Sequence, residues 1–181
     1  MNQKRIYEMV ITAMLIAVGI VIPSFMPKIV IEPMSFTLAS HTAIMIAMFI
    51  SPTSAALVAL GTTLGFLLTG LPIVIVLRAL SHVVWAYVGA LYLFKNKEIV
   101  NQPINFFIYN LAVGILHGLL EVIISSIMYF SNALAPAIYE SSFMYSILLL
   151  VGIGTIVHSM VDFYIAWFVN KAINPITKKI K

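Results

Sequence analysis

Apolar stretches long enough to cross a bilayer fill this chain, and that restricts its fold more than any motif does. A transmembrane α-helix needs about 20 predominantly apolar residues. The first such stretch covers residues 6–24, follows Lys4 and Arg5, and stops at Pro23 and Pro27. Five more fall at about 35–50, 53–69, 72–94, 104–130 and 143–170. Ser51-Pro52, Gly70-Leu71-Pro72, a polar run from Asn96 to Pro103, and a loop with Asn132, Pro136 and Glu140 separate the later ones. Composition agrees, since 62% of the 181 residues are hydrophobic and 9% charged, with mean hydropathy +1.08. Soluble domains are roughly half apolar and about a quarter charged, and disorder requires low hydrophobicity with high charge. The expected fold is therefore an all-α membrane protein, a single domain over residues 1–181 built as a six-transmembrane-helix bundle. The second and third spans are short and nearly contiguous, so one re-entrant hairpin, leaving four crossings, is the alternative. Glu8 and the lack of a small-residue cleavage site mark the first stretch as a retained helix rather than a signal peptide.

The charges sort by position. Lys4, Arg5, Lys95, Lys97, Lys171, Lys178, Lys179 and Lys181 share one face in either topology, against Lys28 on the other. By the positive-inside rule both termini are cytoplasmic, and the loops holding Lys28–Glu32 and Asn132–Ser142 face out of the cell membrane. The net charge of +4 is thus a topology signal, and no basic face remains to bind nucleic acid.

Several chemistries lack their residues. No Gly-rich loop ends in Gly-Lys-Ser/Thr, so the chain carries no ATP site of its own. Gly61-Thr62-Thr63-Leu64-Gly65 lies inside a span and reads as small-residue helix packing. Neither cysteine nor a His-Glu-x-x-His motif occurs, so no cofactor and no metal are expected. An enzyme is not expected either, and any transport must draw on an ion gradient or a partner.

The informative residues are the ionisable ones inside spans. Each costs about 2.5–3.5 kcal/mol on insertion scales and so needs a reason. There are seven: His41, Arg78, His82, His117, Glu121, His158 and Asp162. Arg78 and His82, His117 and Glu121, and His158 and Asp162 are each four apart, so each pair shares a helix face. The fourth span extends its stripe to Trp85, and the fifth extends through Ser125 and Tyr129. At about 1.5 Å per residue, Arg78 lies roughly 9 Å, His82 roughly 15 Å and Glu121 roughly 14 Å from the outer side. His41 begins the second span near that side, while His158 and Asp162 fall at or below the midplane. For each group a structural reading stands beside a functional one. His158–Asp162 and His117–Glu121 are either internal pairs that neutralise a buried acid or ligand contacts. His41 is a helix-end residue or a ligand. Arg78 stays protonated and is met by Glu121 from another helix, or it clamps a carboxylate with its planar fork. On the first span, Ala13 and Ala17 with Gly19 nearby form a small-residue face, used for packing within the bundle or for docking.

Taken together, a small six-span chain without an ATP site, Ala13-x-x-x-Ala17, a proline-rich outer loop and an outer polar cavity resemble the substrate-binding S component of energy-coupling factor vitamin transporters. The resemblance covers the whole chain and rests on no single diagnostic motif. It implies a subunit that binds a small-molecule vitamin from outside and docks onto a transmembrane coupling protein carried by two cytoplasmic ATPases. It further implies that Ala13 and Ala17 form the docking contact, that Phe25–Met34 is a lid, and that Arg78, His82, Glu121, Ser125 and Tyr129 line the pocket. His41 and Trp85 join these candidates, and Tyr145 is the candidate on the sixth span, with Ser146 beside it.

The segments Ser35–His41 and Leu77–His82 look most like the niacin-type members. An arginine with histidines also suits a small carboxylate bearing a ring nitrogen. Pantothenate and biotin carry carboxylates too, whereas cationic thiamine would be poorly served by Arg78. A stand-alone proton-coupled transporter using the His–acid pairs is the rival reading. An intramembrane metal-dependent hydrolase lacks its expected ligand cluster.

Overall fold

The computed structural model describes residues 3–31 and 34–180. The chain opens with α1 (Gln3–Phe25), passes through a hairpin of β1 (Lys28–Ile31) and β2 (Met34–Thr37), and enters the short α2 (Thr42–Met48). Next come α3 (Pro52–Leu68), α4 (Ile73–Lys95), a 3-10 turn over Lys97–Asn101, α5 (Pro103–Phe130) and the single-turn α6 (Pro136–Tyr139). The last long helix starts as a π-helix over Met144–Ile153 and continues as α7 (Gly154–Ile180). Among the described residues, four helical stretches are long and apolar enough to cross a membrane: Gln3–Phe25, Ile73–Lys95, Pro103–Phe130 and Met144–Ile173. α3 is apolar but shorter. The protein is accordingly an all-α membrane protein apart from the small β1–β2 hairpin.

Local sequence explains where the helices start and stop. Ser51 caps α3 by accepting the Ser54 amide at 3.0 Å, with Pro52 at the first helical position. Pro103 opens α5 in the same way. Gly70, at φ +74°, ends α3 in the left-handed conformation. The Leu71 amide then donates to the Phe66 carbonyl, and the Gly70 amide to Leu67, which is the Schellman closure. Asn132, at φ +53°, ends α5 by the same pattern, with Ala133 donating to Met128.

The expected second span over residues 35–50 requires correction. Met34–Thr37 is extended and pairs antiparallel with β1, and the helix occupies only Thr42–Met48. At about 1.5 Å per residue, seven residues give a helix of roughly 10 Å, far short of a crossing. Six of those seven residues are buried, so α2 is the centre of the bundle rather than a lipid-facing span. Ala43, Ile44, Met45 and Met48 pack among Val58, Trp85, Ala86, Phe106 and Phe163. The lipid-facing side chains, such as Met14, Leu64, Val88, Ile123 and Val157, are exposed on the surrounding helices. Glu32 and Pro33, part of the expected lid loop, lie outside the described residues.

α1 is peripheral and buries only Thr12, Leu15 and Gly19. Its contact with α3 is the small-residue packing expected from Gly61 and Gly65. A Cβ on Gly61 would lie 2.6 Å from the Ile16 side chain, and one on Gly65 would lie 2.2 Å from Ile20. Gly19 returns the contact, because a Cβ there would meet the Thr62 hydroxyl at 2.6 Å. Three glycines thus let the two backbones approach closely.

Candidate functional site

A cavity of about 420 Å³ opens between the α3–α4 turn, the hairpin and the α5–α6 loop. Its mouth is apolar, formed by Pro23, Phe36, Leu71, Pro72, Ala133–Ala135 and Ile138. Its floor is polar, formed by Ser40, His41, Arg78, His82, Glu121, Thr155 and His158. The volume falls within the range of roughly 300–1,000 Å³ typical of small-molecule pockets, which also combine apolar walls with a few convergent polar groups.

Glu121 organises one side of the floor. Its Oε2 accepts from both Nε and Nη2 of Arg78 and from the Thr155 hydroxyl at 3.0 Å. Its Oε1 faces the imidazoles, 3.1 Å from His82 Nε2 and 3.5 Å from His117 Nε2. The Arg78–Glu121 pair anticipated between spans is therefore present. Arg78 uses two of its five N–H donors on Glu121 and is among the residues that line the cavity. His117 is fully buried behind the wall, its Nδ1 3.1 Å from the Ser159 hydroxyl and its ring stacked 4.8 Å from Trp85.

Asp162 organises the other side. Its Oδ1 accepts the Ala39 amide at 2.8 Å and its Oδ2 accepts the His41 amide at 2.9 Å. The His41 Nδ1 stands 3.1 Å from the same Oδ2, and the His158 Nε2 is 3.4 Å from it. Ala39 sits at φ +66°, a conformation that a non-glycine residue adopts at some cost, and this turns two nearby amides onto one carboxylate. The Ser40 hydroxyl bridges His41 and His158, 3.1 and 2.9 Å from their ring nitrogens.

These two sides form one cluster, which corrects the expectation that His158 and Asp162 sit apart from and below the outer group. His41 lies between them, its ring centroid 5.0 Å from His82, 4.7 Å from His117 and 5.2 Å from His158. Helical rise counted from the outer side misplaces these groups, because His41 does not open a full-length span. The hairpin and the turn after it carry the chain inward first, so the start of α2 lies at the cavity floor. His158 and Asp162 are not a closed pair, since Asp162 receives two backbone amides and His41 as well.

The candidates divide clearly. Arg78, His82, Glu121, Ser125 and His41 all line the cavity. Trp85 is fully buried behind His117 and His82 and does not. Tyr129 lies away from the cavity in an aromatic group with Tyr139 and Phe143. Tyr145 is exposed, while its neighbour Ser146 is buried, lines the cavity and donates to the Ile138 carbonyl. This segment is π-helical over Met144–Ile153, and of the two neighbouring candidates Ser146 is the one that faces inward. Ser40, Thr62, Thr155 and Phe36 also line the cavity and were not singled out, because small hydroxyls and a phenylalanine carry no signal in an apolar run. Thr62 Oγ1 is buried against Gly19 of α1, without a hydrogen-bond partner among the described residues. Ala13 and Ala17 are both exposed on α1.

No protein-family model matches this chain, and no solved structure matches it. Among curated proteins, it is 44% identical over 167 residues to the niacin transporter NiaX of Lactococcus lactis subsp. cremoris (strain MG1363), covering 91% of this chain and 73% of that protein. This chain belongs to that transporter's family. The resemblance to niacin-type S components is thereby borne out, and so is the assignment to a multi-pass membrane protein of vitamin uptake. The bundle gathers a half-buried arginine, two buried acids and four histidines around one cavity. Retaining ionisable groups in an apolar fold is costly unless they serve a ligand or each other.

Proposed function

We propose that this chain is the membrane-embedded binding subunit through which a cell takes up niacin. The observation that carries this reading is the 44% identity, over nearly the whole chain, to a niacin transporter. The cavity chemistry supports it. The free N–H groups of Arg78 suit a carboxylate. His82 and His41 can donate to or accept from a pyridine nitrogen. Phe36, on the hairpin at the mouth, packs its ring 5.6 Å from His158 and acts with the Phe25–Met34 loop as a lid over the ligand. Pantothenate and biotin are the competing carboxylates.

The remaining architecture belongs to the same proposal. Both termini are cytoplasmic, because eight of the ten cations fall on that face. Energy comes from a transmembrane coupling protein and two cytoplasmic ATPases. Ala13 and Ala17 offer the contact, exposed on a helix that buries little against its own bundle.

One observation favours a second reading. The imidazoles and carboxylates form a continuous chain from Asp162 through His41 to His117 and Glu121, which suits a proton relay in a stand-alone transporter. Two measurements separate these readings. Native mass spectrometry and isothermal titration on the purified chain should detect bound nicotinate. Uptake into proteoliposomes should require the coupling module and ATP. Uptake by the lone chain, driven by a proton gradient, overturns the S-component reading. A retained mass of pantothenate or biotin overturns niacin.

A further inference from the structure

On the polar floor, three atoms that can each offer a lone pair form a nearly equilateral triangle. His82 Nε2, His117 Nε2 and Glu121 Oε1 are separated by 3.1, 3.2 and 3.5 Å. If both imidazoles donate to Glu121, the 3.2 Å edge sets one N–H against another. If His82 donates to His117 instead, the 3.5 Å edge sets a lone pair against a carboxylate oxygen. A cation at the centre satisfies all three lone pairs at once. Metal–ligand bonds of about 2.0–2.2 Å in tetrahedral geometry place ligand atoms about 3.3–3.5 Å apart, close to the observed edges.

We propose that His82, His117 and Glu121 bind a divalent transition metal of the zinc type at the cavity floor, with the vitamin supplying a further ligand. The second part rests on the niacin-binding reading above; the first does not. The surroundings suit the role. The Ser159 hydroxyl at His117 Nδ1 orients that ring, and Arg78 and Thr155 hold the other carboxylate oxygen, leaving Oε1 for one metal bond. Two imidazoles and a carboxylate are ligands such a metal accepts. The nearby ring of His41 has a nitrogen within 4.8 Å of all three ligand atoms. His82, Glu121 and His41 line the cavity while His117 closes the back, so a remaining coordination position is reached from the cavity side.

Charge gives a second, independent argument. Near the floor one guanidinium, Arg78, stands against two carboxylates, Glu121 and Asp162, so the fixed charges sum to minus one before any imidazole takes up a proton. A divalent cation reverses that sign and leaves one positive charge for the anion to neutralise. The ligands come from two helices, with only His117 and Glu121 at helical spacing, which is why no sequence motif announces the site.

The test uses the full chain purified in detergent, stripped with chelator and then titrated with Co²⁺ and Zn²⁺. Binding of one Co²⁺ per chain is expected, with the strong visible absorption of tetrahedral coordination, displaced by Zn²⁺ and lost in His82→Gln and in His117→Gln. X-ray absorption on the zinc-loaded wild type should show two imidazole ligands, which decides the matter even if a variant fails to fold. Absence of stoichiometric metal in the wild type overturns the site, as does wild-type absorption in both variants. Nicotinate titrated into stripped and loaded protein tests the ligand's part, and loss of affinity on stripping is expected. Metal binding without any nicotinate binding sinks the niacin reading and leaves the metal site standing. Nicotinate binding without metal binding does the reverse. Equal nicotinate affinity in both forms overturns the vitamin as a metal ligand.

Discussion

Asp162, on the last helix, accepts the backbone amide of His41 at 2.9 Å across 121 residues of sequence. Its other oxygen accepts the Ala39 amide. One carboxylate thus fixes the turn that delivers His41 and Ser40 to the cavity floor. Removing it in Asp162→Ala leaves two amides without their acceptor, at about 1–3 kcal/mol for each that stays buried. A marked fall in thermal midpoint in detergent is expected, with loss of nicotinate binding. Retained stability would show that this carboxylate does not hold the turn.

Ala39 adopts φ +66° to make that turn, a conformation that costs an L-residue about 1–2 kcal/mol and glycine almost nothing. Ala39→Gly relieves this while adding backbone freedom to the unfolded chain, worth about 0.5–1 kcal/mol. Stability close to wild type, or slightly higher, is the expected outcome of thermal unfolding. Ala39→Val should lower it clearly.

Arg78→Ala should abolish nicotinate binding by calorimetry, but it also strands the Glu121 carboxylate. Breaking a buried pair in this way typically costs about 3–5 kcal/mol. The double variant Arg78→Ala/Glu121→Gln should therefore recover much of the thermal stability while still failing to bind. Binding by the double variant would remove Arg78 from the carboxylate site.

Gly65 offers a packing test remote from the cavity floor. A Cβ there would meet Ile20 at 2.2 Å, so Gly65→Ala forces α1 away from α3, with a cost of about 1–3 kcal/mol. Adding Ile20→Ala makes room for the new methyl. Thermal unfolding should show the double variant above Gly65→Ala alone, and the opposite order would refute this contact.

Ala13 points away from the bundle, so Ala13→Trp should leave thermal stability and nicotinate affinity unchanged. Co-purification with the coupling protein should be lost. A complex that survives the substitution would move the docking face elsewhere.

Sequence alone determined the solvent, the glycine-mediated packing and the identity of the polar residues. Apolar length and helical spacing are local properties, so the long spans, the Gly61–Gly65 face and the pairing of His117 with Glu121 on one face of α5 could be read directly. The cation distribution is equally legible, because it depends on counting residues at segment ends. Only the tertiary structure decided depth and company. No local rule states that the residues before α2 form a hairpin and a turn dipping into the bundle, since that path is held by Asp162 from the far end of the chain. For the same reason Ser40 and Thr155 are silent in sequence, and nothing local says that Ser146 rather than Tyr145 meets the cavity. Four histidines separated by up to 117 positions meet because buried imidazoles and carboxylates in a membrane protein must find one another, and which ones meet is settled by helix packing.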